Sequence, residues 1–320
     1  EEELGTVVDI DVVANDATVT IAASGEVDTA VMRIVGIDKM DVSVVAEVSK
    51  ERSKIELGMM LDVTGSMSGR RISDLKIAAK DLVDILLADD SGVKKTRIGL
   101  APYSAAVNAG VYSDRVSDSE SVDGCVFERP GSHAYDDFAP VAGHFLGAEP
   151  DPGDPDNSKY GCPRSEVLPI TDDKAVLKST IDGYRTGGWT AGHLGVAWAW
   201  YLISPSWSSI WPAASTPDPY SEKKTLKAVI LMTDGDFNTS YTNGSQNRTS
   251  TTQAKALCDS MKREEILVYA VAFQAPSSAK AALQDCASTV SHYFDANDGA
   301  ELRAAFQSIA TNLLRLRITR

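Results

Sequence analysis

From Lys54 to the end of the chain, apolar runs of strand length alternate with stretches whose apolar residues recur every three to four positions. Ile55, Leu57, Met59 and Leu61 lie in a run with few polar residues, as a buried strand requires. Ile72, Leu75, Ala78, Ala79, Leu82, Val83 and Leu86 then form one stripe of an amphipathic helix. Further strands are expected at Thr96–Tyr103, Leu226–Thr233, Ile266–Phe273 and Tyr293–Asp295, and helices at Ala191–Leu202, Thr251–Lys262, Ser278–Ala287 and Gly299–Leu314. Such alternation leaves few solutions. The expected class is α/β, a doubly wound and mostly parallel sheet with helices on both faces.

The first fifty residues read differently. Thr6–Val13, Thr18–Ala23, Val27–Val35 and Val42–Val48 are rich in Val, Ile and Thr and are broken by Asn-Asp, Ser-Gly and Asp-Lys turn signals. We expect a small β domain over residues 1–52 and an α/β domain over 53–313. The tail, residues 314–320, has strand character and is expected to pair with the β domain. Two stretches interrupt the alternation, 108–168 and 204–224, both rich in proline and read as insertions.

Lys+Arg 31 against Asp+Glu 45 gives a net charge of −14. That balance excludes a nucleic-acid binder, which needs a basic stripe, and electrostatic docking on an anionic membrane. No apolar run approaches the roughly 20 residues that span a bilayer. The chain begins at Glu1 without a methionine, so we expect any membrane anchor in an upstream segment not present here. Cys125, Cys162, Cys258 and Cys286 form no CxxC pair and no zinc spacing. Two disulfides are expected, the simplest of three connectivities being Cys125–Cys162 with Cys258–Cys286. They would place the chain in an oxidising, extracytoplasmic compartment.

The strand ending at Leu61 runs into Asp62-Val63-Thr64-Gly65-Ser66, and the strand 227–233 ends at Asp234-Gly235. In a doubly wound sheet ligands bind beyond the carboxyl ends of the strands. Thr190, after Gly187-Gly188-Trp189, adds another hydroxyl before a helix. Carboxylates and hydroxyls without Cys or His suit Mg2+, with Mn2+ or Ca2+ as substitutes.

Asp62, Thr64, Ser66, Thr190 and Asp234, in this order and context, resemble the metal-ion-dependent adhesion site of von Willebrand factor type A (vWA) domains. The family's first Ser is Thr64 here, which keeps the hydroxyl. The resemblance covers about Ile55 to Leu314. It implies that Thr64 and Ser66 bind the metal directly, Thr190 directly or through water, and Asp62 and Asp234 mostly through bridging waters. An open position is left for a carboxylate of a protein or surface ligand. Met32–Ile37, Val42–Ala46, Leu231–Asn238 and the 302–319 tail further resemble bacterial TadG-like proteins of tight-adherence (Tad) pilus systems, with pilus subunits as implied partners. The function expected is a metal-dependent adhesion or protein-binding module of the cell envelope or periplasm. The alternative is an assembly factor whose metal site is structural.

His193 is expected to cap or lie at the surface. The Trp198, Trp200, Tyr201, Trp207 and Trp211 group is expected in core and loop anchors, with Trp189 the best candidate for exposure. Asp151, Asp154 and Asp156 do not match an EF-hand, and Asn238, Asn243 and Asn247 begin chance sequons. No P-loop, HExxH or GxSxG is present and no general base is evident, so an enzyme is not expected.

Overall fold

The computed structural model describes residues 5–14, 18–29, 39–49, 54–88, 95–117, 124–147, 161–241 and 249–319. The chain divides into two compact units, Glu1–Arg52 with Arg315–Arg320, and Ser53–Leu314.

In the first unit, β1 (Gly5–Ala14), β2 (Thr18–Asp28) and β3 (Lys39–Ser49) form an antiparallel sheet in the order β1-β2-β3. The register places Ile10 opposite Ala23 and Ala23 opposite Val44. Because side chains alternate along a strand, Ile10, Val12, Ile21, Val42 and Val44 share one face, and Asp9, Asp11, Ser24, Glu26 and Asp41 the other. Val27, expected to open a further strand, instead closes β2, and residues 30–38 lie outside the described ones.

The second unit is the α/β fold read from the alternation. Its parallel core runs β11-β10-β9-β4-β5, where β4 is Lys54–Asp62, β5 Lys95–Tyr103, β9 Thr225–Thr233, β10 Leu267–Phe273 and β11 Tyr293–Ala296. Beyond β5 the sheet continues antiparallel through β6 (Val107–Asn108) and β7 (Cys125–Val126), while β8 (Leu168–Thr171) also pairs with β5. The winding direction reverses between β4 and β9, which are hydrogen-bonded neighbours. That is the switch point, where the loops diverge and leave a crevice.

Both faces are covered, which is why every residue of β9 is buried. A single turn, α2 (Ser113–Val116), lies in the first insertion, and helices α4 (Gly192–Tyr201), α5 (Ser250–Arg263) and α6 (Ser277–Cys286) pack on one face. Toward the other lie α1 (Arg70–Leu86), α3 (Lys174–Asp182) and α7 (Gly299–Thr319), tied together by Lys178–Asp84 at 2.7 Å and by Arg303–Asp81. All ten residues of α4 are buried, and its backbone rides directly on β4: a Cβ on Gly58 would stand 2.0 Å from the Ala199 carbonyl oxygen. Trp198, Trp200 and Trp207 are fully buried and Tyr201 stacks on Trp207 at 4.0 Å, so these aromatics are core.

The disulfides pair as the simplest connectivity, Cys125–Cys162 and Cys258–Cys286, the second joining α5 to α6. The tail differs from expectation. It is helical to Thr319, not a strand, because extending an existing helix fixes one residue per hydrogen bond whereas a new strand must first be brought to an edge. The stretch after the first insertion also holds β8 and α3, which the apolar pattern did not reveal. Pro169 interrupts β8, and α3 starts at a cap, with Asp173 accepting from the Val176 N–H at 2.9 Å. Asp151, Asp154, Asp156, Asn243 and Asn247 lie outside the described residues.

Candidate metal centre

Four of the five candidate residues are joined through hydrogen bonds at the carboxyl edge of the switch point, and Thr190 faces them. Asp62 ends β4 and is wholly buried. Its Oδ1 accepts from the backbone N–H of Thr64 at 2.8 Å and from the Thr64 hydroxyl at 2.6 Å. Its Oδ2 accepts from Thr233 Oγ1 at 2.7 Å and from Tyr103 OH at 3.0 Å. Asp234, first residue beyond β9, accepts on Oδ1 from Ser66 Oγ at 2.6 Å and on Oδ2 from Arg71 Nη1 at 2.7 Å.

The hydroxyl hydrogens decide what this arrangement offers. Each hydroxyl carries one hydrogen. Thr64 gives its own to Asp62 and Ser66 gives its own to Asp234, yet the two oxygens stand only 2.8 Å apart. With both carboxylates ionised, lone pairs therefore face lone pairs across that contact. Neighbouring oxygens in an octahedral Mg2+ shell, at about 2.1 Å from the metal, are separated by roughly 2.9 Å. The spacing and donor chemistry fit a hard divalent cation.

Thr190 completes the edge. Its chain segment is fastened to the Asp62 turn by Gly65 N–H to Gly188 O at 3.0 Å and Gly187 N–H to Val63 O at 2.9 Å. Asn238 holds it from the other side, its Oδ1 accepting from the Thr190 N–H at 3.1 Å. A Cβ on Gly235 would lie 3.6 Å from Thr190 Oγ1 and 3.7 Å from Ser66 Oγ, so both hydroxyls converge on this glycine. Ser66 is exposed, whereas Thr64 and Thr190 are buried at 1% and 4%. Trp189, 48% exposed, stands at the rim.

Electrostatically the centre is short of positive charge. Burial, and then the neighbouring charge of Asp234, push the Asp62 carboxyl up to about 6 despite three hydrogen bonds that favour its ionised form. Burial and Asp62 likewise push Tyr103 well above the ordinary phenol range, so it remains a neutral donor. Among the described residues no three His, Cys, Asp or Glu side chains gather as a metal cage, so hydroxyls must supply part of any coordination.

Sequence reasoning missed Arg71, Tyr103, Thr233 as a donor and Asn238 as a support. Only Thr233, adjacent to Asp234, carried a local signal. His193 is corrected: it is 2% exposed, neither surface nor cap. Its Nδ1 is 2.8 Å from Ser250 Oγ, and its Nε2 is 2.8 Å from Glu128 Oε1, with the ring N–H poorly aligned on that oxygen. This row has the residue types of a nucleophile, base and acid, but all three side chains are buried and out of reach of a substrate. They fasten the first insertion to α4 and α5. The far end of that insertion meets the candidate centre, where a Cβ on Gly161 would come 3.0 Å from the Cα of Gly188.

No protein-family model matches the sequence, and no curated protein matches it. Among solved structures the chain is similar to the vWF domain of the type V pili tip protein Mfa5 from Porphyromonas gingivalis, at 13% identity and TM-score 0.49, over 83% of this chain and 96% of that one. It is similar to the pilus adhesin RrgA from Streptococcus pneumoniae at 10% identity and TM-score 0.48, covering 97% of this chain and 50% of that one. It is also similar to the pilus adhesin SpaC from Lactobacillus rhamnosus GG, at 11% identity and TM-score 0.45, and spans 34% of SpaC. Likeness at such identities and TM-scores assigns no function, which the chemistry of the edge has to carry.

Proposed function

We propose that this chain is a metal-dependent protein-binding module of the vWA type, acting in adhesion at the bacterial surface. The observation that carries the reading is the pair of hydroxyl oxygens 2.8 Å apart, each also 2.6 Å from a carboxylate oxygen. Thr64, Ser66 and Thr190 would hold a divalent cation, Mg2+ first, with Asp62 and Asp234 behind them. When bound, the cation supplies an electrophilic position open to a carboxylate oxygen of a partner. Asp62 orients Thr64, Asp234 orients Ser66, and Asn238 fixes the Thr190 segment, so the oxygens are placed before any ligand arrives. Tyr103 and Thr233 hold Asp62 from below.

The groups at this edge bind; they do not catalyse. Both oxygens of each carboxylate already accept hydrogen bonds, which leaves neither poised as a general base. The two disulfides favour an extracytoplasmic location, cell surface or periplasm. The resemblance to TadG-like proteins in the sequence favours a Tad pilus setting, with pilus subunits as partners.

Isothermal titration of Mg2+ into the purified chain tests the site. Wild type should bind, and Ser66→Ala and Asp62→Ala should not. Surface-attachment assays on cells carrying Asp62→Ala separate the roles. Lost attachment with normal pili supports adhesion, lost pili supports assembly, and absence of Mg2+ binding by wild type sinks the metal reading.

A further inference from the structure

Among the described residues, one positive charge reaches this edge. Arg71, the second residue of α1, reaches across the crevice and touches three separate chain segments there. Its Nη1 donates to Asp234 Oδ2 at 2.7 Å and lies 3.4 Å from the Ser66 carbonyl oxygen, and its Nε donates to Gln274 Oε1 at 2.9 Å. Gln274 follows β10 with φ of 51°, a left-handed backbone position that non-glycine residues seldom adopt. The Asp234 side chain is fully buried, while that of Arg71 is 36% exposed. A partly exposed guanidinium thus neutralises a buried carboxylate from the solvent side.

We propose that Arg71 is a built-in counter-cation that competes with the divalent ion for Asp234 and so sets the metal affinity of the centre. The inference rests on the metal-binding reading above. Two carboxylates without a cation repel each other across a buried gap, and Arg71 relieves that repulsion in the metal-free chain. It also turns Asp234 so that Oδ1 faces Ser66, which keeps the hydroxyl edge assembled. When a divalent ion occupies the same edge, the guanidinium becomes a like charge a few ångströms away. Removing it should tighten binding of the ion even though one side-chain contact of the site is lost. Even at the dielectric of water and a separation of about 6 Å, a unit charge beside a divalent ion is worth about tenfold in affinity.

Arg71→Gln keeps polar reach to Asp234 and Gln274 but deletes the charge; Arg71→Lys keeps the charge. The measurement is Mg2+ affinity by isothermal titration on wild type and both variants, with melting curves in EDTA as the fold check. Expected are about tenfold tighter Mg2+ binding by Arg71→Gln, affinity near wild type for Arg71→Lys, and a lower melting temperature for Arg71→Gln in EDTA only. If wild type binds Mg2+ and Arg71→Gln binds it equally or more weakly, the counter-cation role is overturned and the metal site stands. If wild type does not bind and Arg71→Gln does, the competition is upheld and metal dependence of the native chain falls. Binding by neither overturns both.

Discussion

In the proposed site, Thr64 and Ser66 would make a cation centre selective for its ligand with neutral side chains. A hydroxyl donates its hydrogen to a carboxylate behind it and turns its lone pairs forward, so the negative charge stays one atom removed from the metal. A bound ion would then keep more of its electrophilicity for a partner's carboxylate than direct carboxylate ligation would leave. Ser66→Ala should remove a ligand and also the donor to the buried Asp234 carboxylate. We expect Mg2+ affinity to fall by about 100-fold or more while stability in EDTA drops by about 1–3 kcal/mol; paired titration and urea denaturation check both numbers. Thr64→Ser keeps the hydroxyl and should bind Mg2+ as wild type does. The residue scale is also where the sequence was most readable: Asp62, Thr64 and Ser66 sit in one turn, and their spacing alone places them on one edge.

At the scale of elements, the first insertion is stitched to the helices through one buried polar centre. Glu128 Oε1 accepts from the Tyr241 N–H at 2.8 Å and from Gln253 Nε2 at 3.0 Å, with His193 beside it. Burial pushes the Glu128 carboxyl up, but the adjacent His193 ring and the hydrogen bonds from Tyr241 and Gln253 outweigh it and hold the group below its ordinary value. A depressed carboxylate contributes stability that is present above its unfolded value, 4.5, and is lost as pH falls through the folded one. Wild type should therefore destabilise on acidification below about 4.5 more steeply than Glu128→Gln, a difference that melting curves across pH 3–6 would reveal. Glu128→Ala, which strands His193 and Gln253 in the interior, should cost about 3–5 kcal/mol at neutral pH. The β4–α4 contact is equally demanding. Gly58→Ala places a methyl group into the Ala199 carbonyl, so denaturant midpoints should drop sharply or no folded protein be recovered. Neither contact was legible beforehand, since His193 and Glu128 are 65 positions apart and nothing local marks them as neighbours.

For the whole molecule, the net charge of −14 sets how a partner arrives. An acidic protein repels an acidic ligand at long range, so encounter with a carboxylate-bearing partner is not steered by charge. Raising ionic strength should speed association with such a partner, whereas an electrostatically steered complex would slow; stopped-flow at 50 and 500 mM NaCl distinguishes the two. On the proposed reading, attraction would come from a bound ion at close range. EDTA should abolish partner binding while far-UV circular dichroism stays unchanged, because the hydrogen bonds of the edge hold it together without metal. Unfolding by EDTA would contradict this.

What the sequence determined by itself was local and periodic. Apolar spacing of two and of 3.6 fixed strands and helices, their alternation fixed the parallel sheet, and the Asp-x-Thr-x-Ser turn fixed half the site. Tertiary structure decided everything that depends on distant neighbours. It set β9 beside β4, so that Asp234 faces Ser66, and swung Arg71 and Tyr103 onto the two aspartates. It buried His193 against a glutamate from an insertion, and carried the last helix on through a tail whose Ile and Thr read as strand. The reason is the same in each case: periodicity reports which way a side chain points from its own backbone, while chain crossings choose what stands opposite it.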